Sequence, residues 1–236
     1  MYRFNIPDSH DWLYFYGVDE KPTPLVAKKS AAIADLVFPD ISKEKLIIVN
    51  GPLSSVPMVF PENHIIFLST GGDQCLAQTV FQIGHELCHF YIKANQINND
   101  MFWFEEVLCE VSSHYFLHQY NLHTVWPTDN QTMRYDAYSA MMFKNHSEAF
   151  DYKKLIFYDS DVTLYMKNNS IDREKNRFLA SLLFPIFLKK PNLFQTLPIL
   201  RNLYGLKDFR AFLNAWKDSV FENDKVAVQE IINIFL

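Results

Sequence analysis

The pentad His85-Glu86-Leu87-Cys88-His89 is the sequence feature that most constrains this chain. It lies in a run whose apolar residues recur at helical spacing: Leu76, Ala77, Val80, Phe81, Gly84, Leu87, Cys88 and Tyr91. Histidines four residues apart share one face of a helix, where both imidazoles can bind a single zinc ion. Glu86, beside the first histidine, is then placed to act as general base on a metal-bound water. The pentad therefore predicts a metal-binding helix with a candidate catalytic base.

Composition argues against several other classes of protein. The 236 residues are 49% hydrophobic and 16% aromatic, which is ample for a sizeable core. A net charge of −5 with no block of like charges argues against nucleic acid or an anionic membrane as partner. The first residues lack a secretory signal pattern, and the longest apolar stretch, 178–188, is too short to cross a bilayer. Three cysteines, an odd number, fit reduced thiols, so we expect a cytoplasmic protein.

The N-terminal third predicts a small mixed sheet. A helix is predicted over Pro24–Phe38, followed by strands at Leu46–Val49 and His64–Ser69. Asp73 is the candidate N-cap of the helix that carries the pentad. This order predicts an α+β fold in which the sheet packs on the active-site helix.

The remainder of the chain is predicted to be mainly helical. A second helix is expected from about Phe102 to His118, after a polar loop. The clearest later helices are Arg173–Leu188 and Asp208–Trp216, and the breaks between segments are expected at Pro191, Pro198 and Gly205. We therefore expect one catalytic domain over 1–236, with an α/β lobe at 1–95 and a mainly helical lobe at 96–236.

Two histidines do not complete a catalytic zinc site, because three protein ligands and a water are the usual set. The extended pattern HExxH-xxGxxH is absent, since residues 90–95 carry neither glycine nor histidine in register. The next predicted helix offers carboxylates at Glu105, Glu106 and Glu110. The alternative interpretation is an acidic helix face exposed to solvent.

The pentad followed by Trp-Phe-x-Glu-x-x-x-Glu at residues 103–110 resembles the gluzincins, zinc metallopeptidases of the zincin fold. The resemblance covers roughly residues 64–116. It implies that zinc is bound by His85, His89 and Glu106, and that Glu110 supports a histidine ligand through its second nitrogen. Val107 stands where the family often has glycine, and the spacing from His89 to Glu106 is slightly short, so Glu105 stays an alternative ligand.

The resemblance also implies a downstream His or Tyr that stabilises an oxyanion. The candidates are His146, Tyr152, Tyr158 and Tyr165. It further implies that the strand at 64–69 is an edge strand, which pairs with an extended substrate; the alternative is an ordinary strand of the sheet.

A second pair at helical spacing, His114 and His118, has no glutamate in the catalytic position between its members. We interpret these two histidines as surface or supporting residues rather than as metal ligands.

The expected function is zinc-dependent hydrolysis of peptide bonds in a peptide or protein substrate. One alternative is a narrow-specificity cytoplasmic regulatory protease. The other is a non-catalytic zincin-like binding or scaffold protein, whose structural zinc would need a fourth protein ligand such as Cys88 or Cys109. No residue pattern specifies an oligomeric state.

Overall fold

The computed structural model describes residues 2–6, 11–16, 24–51, 56–70, 75–93, 99–122, 135–144 and 150–236. Its strands are β1 (Tyr2–Ile6), β2 (Trp12–Tyr16), β3 (Leu46–Gly51), β4 (Met58–Phe60) and β5 (Ile65–Ser69). Its α-helices are α1 (Pro24–Val37), α2 (Leu76–Ile92), α3 (Phe102–Leu122), α4 (Tyr135–Lys144), α5 (Asp161–Asn168), α6 (Arg173–Lys189), α7 (Phe209–Ser219) and α8 (Glu222–Phe235). Helices of 3-10 type span Ile41–Lys43, Pro61–Asn63, Tyr152–Ile156 and Pro191–Asn202. Strands early in the chain and helices after them confirm the predicted α+β class.

The five described strands form one mixed sheet in the order β1-β2-β3-β5-β4. β2, β3 and β5 are parallel, whereas β1 and β4 run antiparallel to their neighbours at the two edges. α1 lies between β2 and β3 in sequence, because parallel neighbours need a crossover connection. Along β3, Leu46, Ile48 and Asn50 are buried and alternate with less buried residues. This period of two is typical of a strand with one face on the core.

β5 is an interior strand, paired with β3 on one side and with β4 on the other. The expectation that the strand at 64–69 is an edge strand is therefore wrong. β4 runs back along β5 across the turn at Pro61–Asn63, after which His64 has a left-handed φ of 56°. β4 thus takes the edge position. Its three residues are too few to show a period, which is why the sequence did not predict this strand.

The helices predicted in the N-terminal part are confirmed. α1 matches the helix expected over Pro24–Phe38 to within one residue. α2 carries the whole pentad, while its predicted N-cap, Asp73, lies outside the described residues. Three apolar residues of α2 beyond the predicted apolar stripe are also buried: Ile83, Phe90 and Ile92. A helix that is covered on several sides has no single apolar stripe.

The chain divides into two compact units. The first comprises Met1–Tyr91 and Ser112–Met141, and it contains the sheet, α1, most of α2 and the second half of α3. The second comprises Ile92–Val111 and Met142–Leu236, and it contains the first half of α3 and α5 to α8. The expectation of a single catalytic domain over 1–236 stays a prediction.

The core of the second unit is built on aromatic side chains of α3, α7 and α8. Trp103 and Phe104 are fully buried, as are Phe209 and Phe235. Ring centroids lie 4.7 Å apart for Trp103 and Phe209, and 5.0 Å apart for Phe209 and Phe235. Each such pair stabilises the fold by about 0.5–1.5 kcal/mol beyond the contribution of its buried surface. These contacts fix the first half of α3, which carries Glu106.

The two C-terminal helices predicted most clearly are confirmed as α6 and α7, and Asp208 caps α7 by accepting from Ala211 N. The break expected at Pro198 is wrong, because this residue lies inside the 3-10 helix Pro191–Asn202. Across the ranges described above, none of the helices combines the length and apolar character that spanning a bilayer requires.

Candidate metal centre

α2 carries the three candidate functional residues of the pentad, His85, Glu86 and His89, within little more than one helical turn. The ring centroids of His85 and His89 lie 5.0 Å apart with their planes at 67°. His89 and Glu86 are buried, and His85 is half-buried. The two histidine rings therefore lie side by side on one face of α2, as the i, i+4 spacing predicts.

α3 packs directly against α2 at the residue before the first histidine. Gly84 faces the Phe116 ring, and a Cβ added at Gly84 would lie 2.9 Å from Phe116 Cγ. The Ser112 hydroxyl donates to the Gly84 carbonyl oxygen at 2.8 Å, inside the core. Glycine is required here because any side chain would push the two helices apart. The close approach holds α3 beside the pentad.

The three glutamates of α3 are buried. Glu105 is 2% exposed, Glu106 8% and Glu110 5%. The alternative interpretation of a solvent-exposed acidic face is therefore wrong. α3 is covered on all sides, since every residue from 103 to 117 is buried. Burying a carboxylate costs several kcal/mol unless cations or donors compensate it, so such a group needs a specific reason.

One ligand atom from each of His85, His89 and Glu106 lies within 4.8 Å of the other two. Around a tetrahedral zinc with bonds of about 2.0–2.2 Å, ligand atoms lie roughly 3.4 Å apart, so small side-chain rotations would close the group on one ion. Glu105 does not belong to this group, which was found among the described residues. The spacing of these three residues is thus compatible with a bound metal ion, while zinc binding stays a prediction.

The donor set also fits the chemistry of zinc. Two imidazole nitrogens and one carboxylate oxygen are a common set for a catalytic zinc, which keeps its fourth position for water or substrate. A divalent cation at this place would also offset the charge of the buried carboxylates Glu86 and Glu106.

Glu110 has a partner that the sequence did not predict. Arg177 of α6 donates from Nε to Glu110 Oε1 at 3.1 Å, and both side chains are largely buried. The two residues are 67 positions apart, so no local spacing pattern joins them. The available signal was general: a buried glutamate on an apolar helix calls for a cation elsewhere in the chain. The role of Glu110 beside a histidine ligand stays a prediction.

Three of the candidate oxyanion-stabilising residues have other contacts in the second unit. Tyr152 packs against the rings of Phe178 and Phe235. Tyr158 lies beneath the Lys167 ammonium, 4.2 Å from the ring centroid.

Tyr165 donates from its hydroxyl to Asp172 Oδ2 at 2.9 Å. The fourth candidate, His146, lies outside the described residues. None of these tyrosine contacts involves a member of the metal group.

His114 is not a surface residue. It is fully buried, its Nδ1 lies 2.6 Å from Ser139 Oγ, and its ring meets the Phe81 ring edge to face. The surface interpretation is therefore wrong for His114, whereas His118 is half-buried. The spacing of His114 and His118 did not indicate this, because α3 is buried on all sides from residue 103 to residue 117.

Neither candidate cysteine belongs to the metal group. Cys88 and Cys109 are both buried, and neither takes part in a disulfide. Tyr91, at the end of α2, packs on Phe38 with ring centroids 4.8 Å apart. Burial, with smaller contributions from Asp40 and Cys88, raises the pKa of Tyr91 to about 12, so its phenol stays protonated at neutral pH and is no base.

No protein-family model, curated protein or solved structure matches the chain.

Proposed function

We propose that this chain is a zinc-dependent metallopeptidase of the gluzincin type, with a zincin-like fold. The observation that carries the proposal is the grouping of His85, His89 and Glu106, with Glu86 next to the first of them in the same helix. Two histidines and one carboxylate leave the fourth position of a zinc ion for water. The substrate class is a peptide or a protein.

A zinc ion held by these three side chains would supply a Lewis acid, which lowers the pKa of a water molecule and polarises the scissile carbonyl. Glu86 takes the proton of the attacking water and later delivers it to the leaving amine. Its buried carboxylate suits this work, because a desolvated base is held in one orientation and exchanges its proton with the reactants rather than with solvent.

The ligand count favours catalysis over a structural role for the metal. A structural zinc site is closed by four protein ligands, whereas the group found among the described residues has three members. A structural site also has no use for a general base beside it. Glu86 therefore supports a hydrolase in preference to a binding or scaffold protein.

The test is Glu86→Gln, which keeps the shape of the side chain and removes its basicity. We expect wild type and variant to bind one zinc ion per chain, measured by metal analysis after dialysis. We expect turnover of a peptide library to fall by roughly 10²- to 10⁴-fold, as for the loss of a general base. Glu62→Gln, in the exposed turn before β5, is the matched control and should keep wild-type turnover.

Three outcomes separate the alternatives. Many products from the wild type support a general peptidase, whereas cleavage of one or a few sequences supports a narrow-specificity protease. A wild type that binds zinc and cleaves nothing in the library or in a proteome digest supports the scaffold alternative. Retained activity in Glu86→Gln contradicts the proposed mechanism.

A further inference from the structure

The contact between Arg177 and Glu110 connects α6 to the helix that carries the candidate ligand. The guanidinium donates from Nε to Oε1 at 3.1 Å, with the two side chains 13% and 7% exposed. A hydrogen bond between ionised groups in a buried place is among the stronger kinds, and it fixes the orientation of both partners.

Stability alone does not account for this pair. Removing two charges from water costs about as much as their attraction returns, so an apolar pair of similar volume would serve the core equally well. Leu179 and Ala180, two and three residues beyond Arg177 in α6, are fully buried, so this stretch of the helix packs against the core. The pair is therefore better explained by what it orients.

Glu110 lies one helical turn beyond Glu106, on the same face of α3. A carboxylate has two oxygens and about four acceptor positions, so it can accept from Arg177 Nε and from a second donor at the same time. Histidine ligands commonly donate their second ring N–H to such a carboxylate, which sets the tautomer and raises the basicity of the ligand. The carboxylates of Glu106 and Glu110, one turn apart, also repel each other, and the guanidinium of Arg177 beside Glu110 offsets that repulsion.

We propose that Arg177 is a positioning residue of the metal centre: it holds the Glu110 carboxylate in place one turn from Glu106, and thereby sets the affinity for zinc. This inference rests on the proposed function, because it takes the group of His85, His89 and Glu106 as the zinc site. Arg177 acts through Glu110 and touches no reacting atom.

The experiment measures zinc affinity by competition with a chromogenic chelator, using zinc alone as the probe. Arg177→Met removes the charge and the donor while keeping the length of the side chain. We expect its zinc affinity to be roughly 10- to 100-fold weaker than wild type, the usual effect of losing such a supporting contact. Arg177→Lys keeps the charge without the planar fork and should recover part of the loss. Arg173→Met, exposed one turn earlier in α6, is the matched control and should bind as wild type.

The energetic coupling between Arg177 and Glu110, measured by combining substitutions at both residues, supplies the second readout. If Arg177 acts through Glu110, Glu110→Gln should weaken zinc binding, and adding Arg177→Met to it should cause little further loss. The absorption of the cobalt-substituted protein should change in Arg177→Met, because the ligand environment changes. A purely structural role would lower the midpoint of thermal unfolding of the metal-free protein and leave both metal readouts unchanged.

The outcomes distinguish this inference from the proposed function. If wild type binds zinc and cleaves peptides while Arg177→Met binds zinc equally well, only the role of Arg177 is overturned. If wild type binds no zinc, the proposed function and this inference both fail. If Arg177→Met does not fold, Arg177→Lys and Glu110→Gln decide: wild-type affinity in both overturns the inference, and a loss in both supports it.

Discussion

Gly84 and Phe116 meet where α2 and α3 pack most closely. A Cβ on Gly84 would lie 2.9 Å from Cγ of Phe116, which is closer than real Cβ atoms approach other atoms, and 3.0 Å from Cβ of Phe116. Phe116 is fully buried, and protein interiors are packed closely enough that a buried ring moves at a cost. The position next to His85 therefore needs glycine so that the helix carrying the histidines can lie against the helix carrying Glu106.

Gly84→Ala should destabilise the protein despite the better helix propensity of alanine. Propensity favours alanine by about 1 kcal/mol, whereas overpacking in a full core costs about 1–3 kcal/mol. We expect a net loss of about 1 kcal/mol in the free energy of unfolding, measured by urea titration with chelator present. Zinc affinity should also fall, because the methyl group pushes α2 away from α3.

Gly205→Ala is the matched control for this substitution. Among the described residues, and apart from its two chain neighbours, no heavy atom lies within 4 Å of a Cβ placed there, so the same chemical change meets open space. We expect unchanged or slightly raised stability and wild-type zinc affinity. Equal stability of Gly84→Ala and Gly205→Ala would show that the close approach at Gly84 is not needed.

The placement of the candidate ligands on α2 and α3 could be predicted from sequence, because residues four apart share a face of any α-helix. The spacing of His85 and His89 fixes their relation on any α-helix, and the spacing of Glu106 and Glu110 does the same on α3. α1, α6 and α7 were predictable for a similar reason, since helical periodicity is visible within each segment.

Long-range contacts could not be predicted in this way. Arg177 meets Glu110 across 67 residues, and nothing in the sequence around either residue indicates the other. The interior position of β5 depends on the three-residue β4, which is too short to show a pattern. The burial of Glu105 depends on neighbours from distant segments, because α3 itself carries apolar residues on more than one face.

Asp172 provides a test of electrostatics away from the metal group. It caps α6 by accepting from Lys175 N, and it also accepts from Lys175 Nζ and the Tyr165 hydroxyl, each at 2.9 Å. Burial alone would raise the pKa of this carboxyl. The hydrogen bonds from Lys175 and Tyr165 outweigh that effect, so the pKa lies below its usual 3.8.

Asp172→Asn keeps an effective N-cap and removes the charge. Because the folded-state pKa is lowered, the contribution of the charge is fully present above pH 3.8 and is lost as the pH falls through the folded-state pKa. We expect the variant to be less stable by roughly 0.5–1 kcal/mol at pH 7, since solvent partly screens the pair, whose side chains are 29% (Lys175) and 16% (Asp172) exposed. The difference should narrow at pH 3 and below, measured by urea unfolding with chelator present. A difference of the same size at both pH values would contradict this account.

Glu105 and Glu106 allow the ligand assignment to be tested with a matched pair of substitutions. Both carboxylates are buried on α3, so Glu105→Gln and Glu106→Gln remove a charge from similar surroundings. Only Glu106 lies in the group with His85 and His89. We expect Glu106→Gln to weaken zinc binding by at least 10-fold, because an amide oxygen is a neutral and poorer ligand for zinc than a carboxylate. Glu105→Gln should bind zinc as tightly as wild type in the same chelator competition. The reverse result would assign the ligand to Glu105, which would require α3 to turn by about 100° about its axis, the angle between successive helical residues.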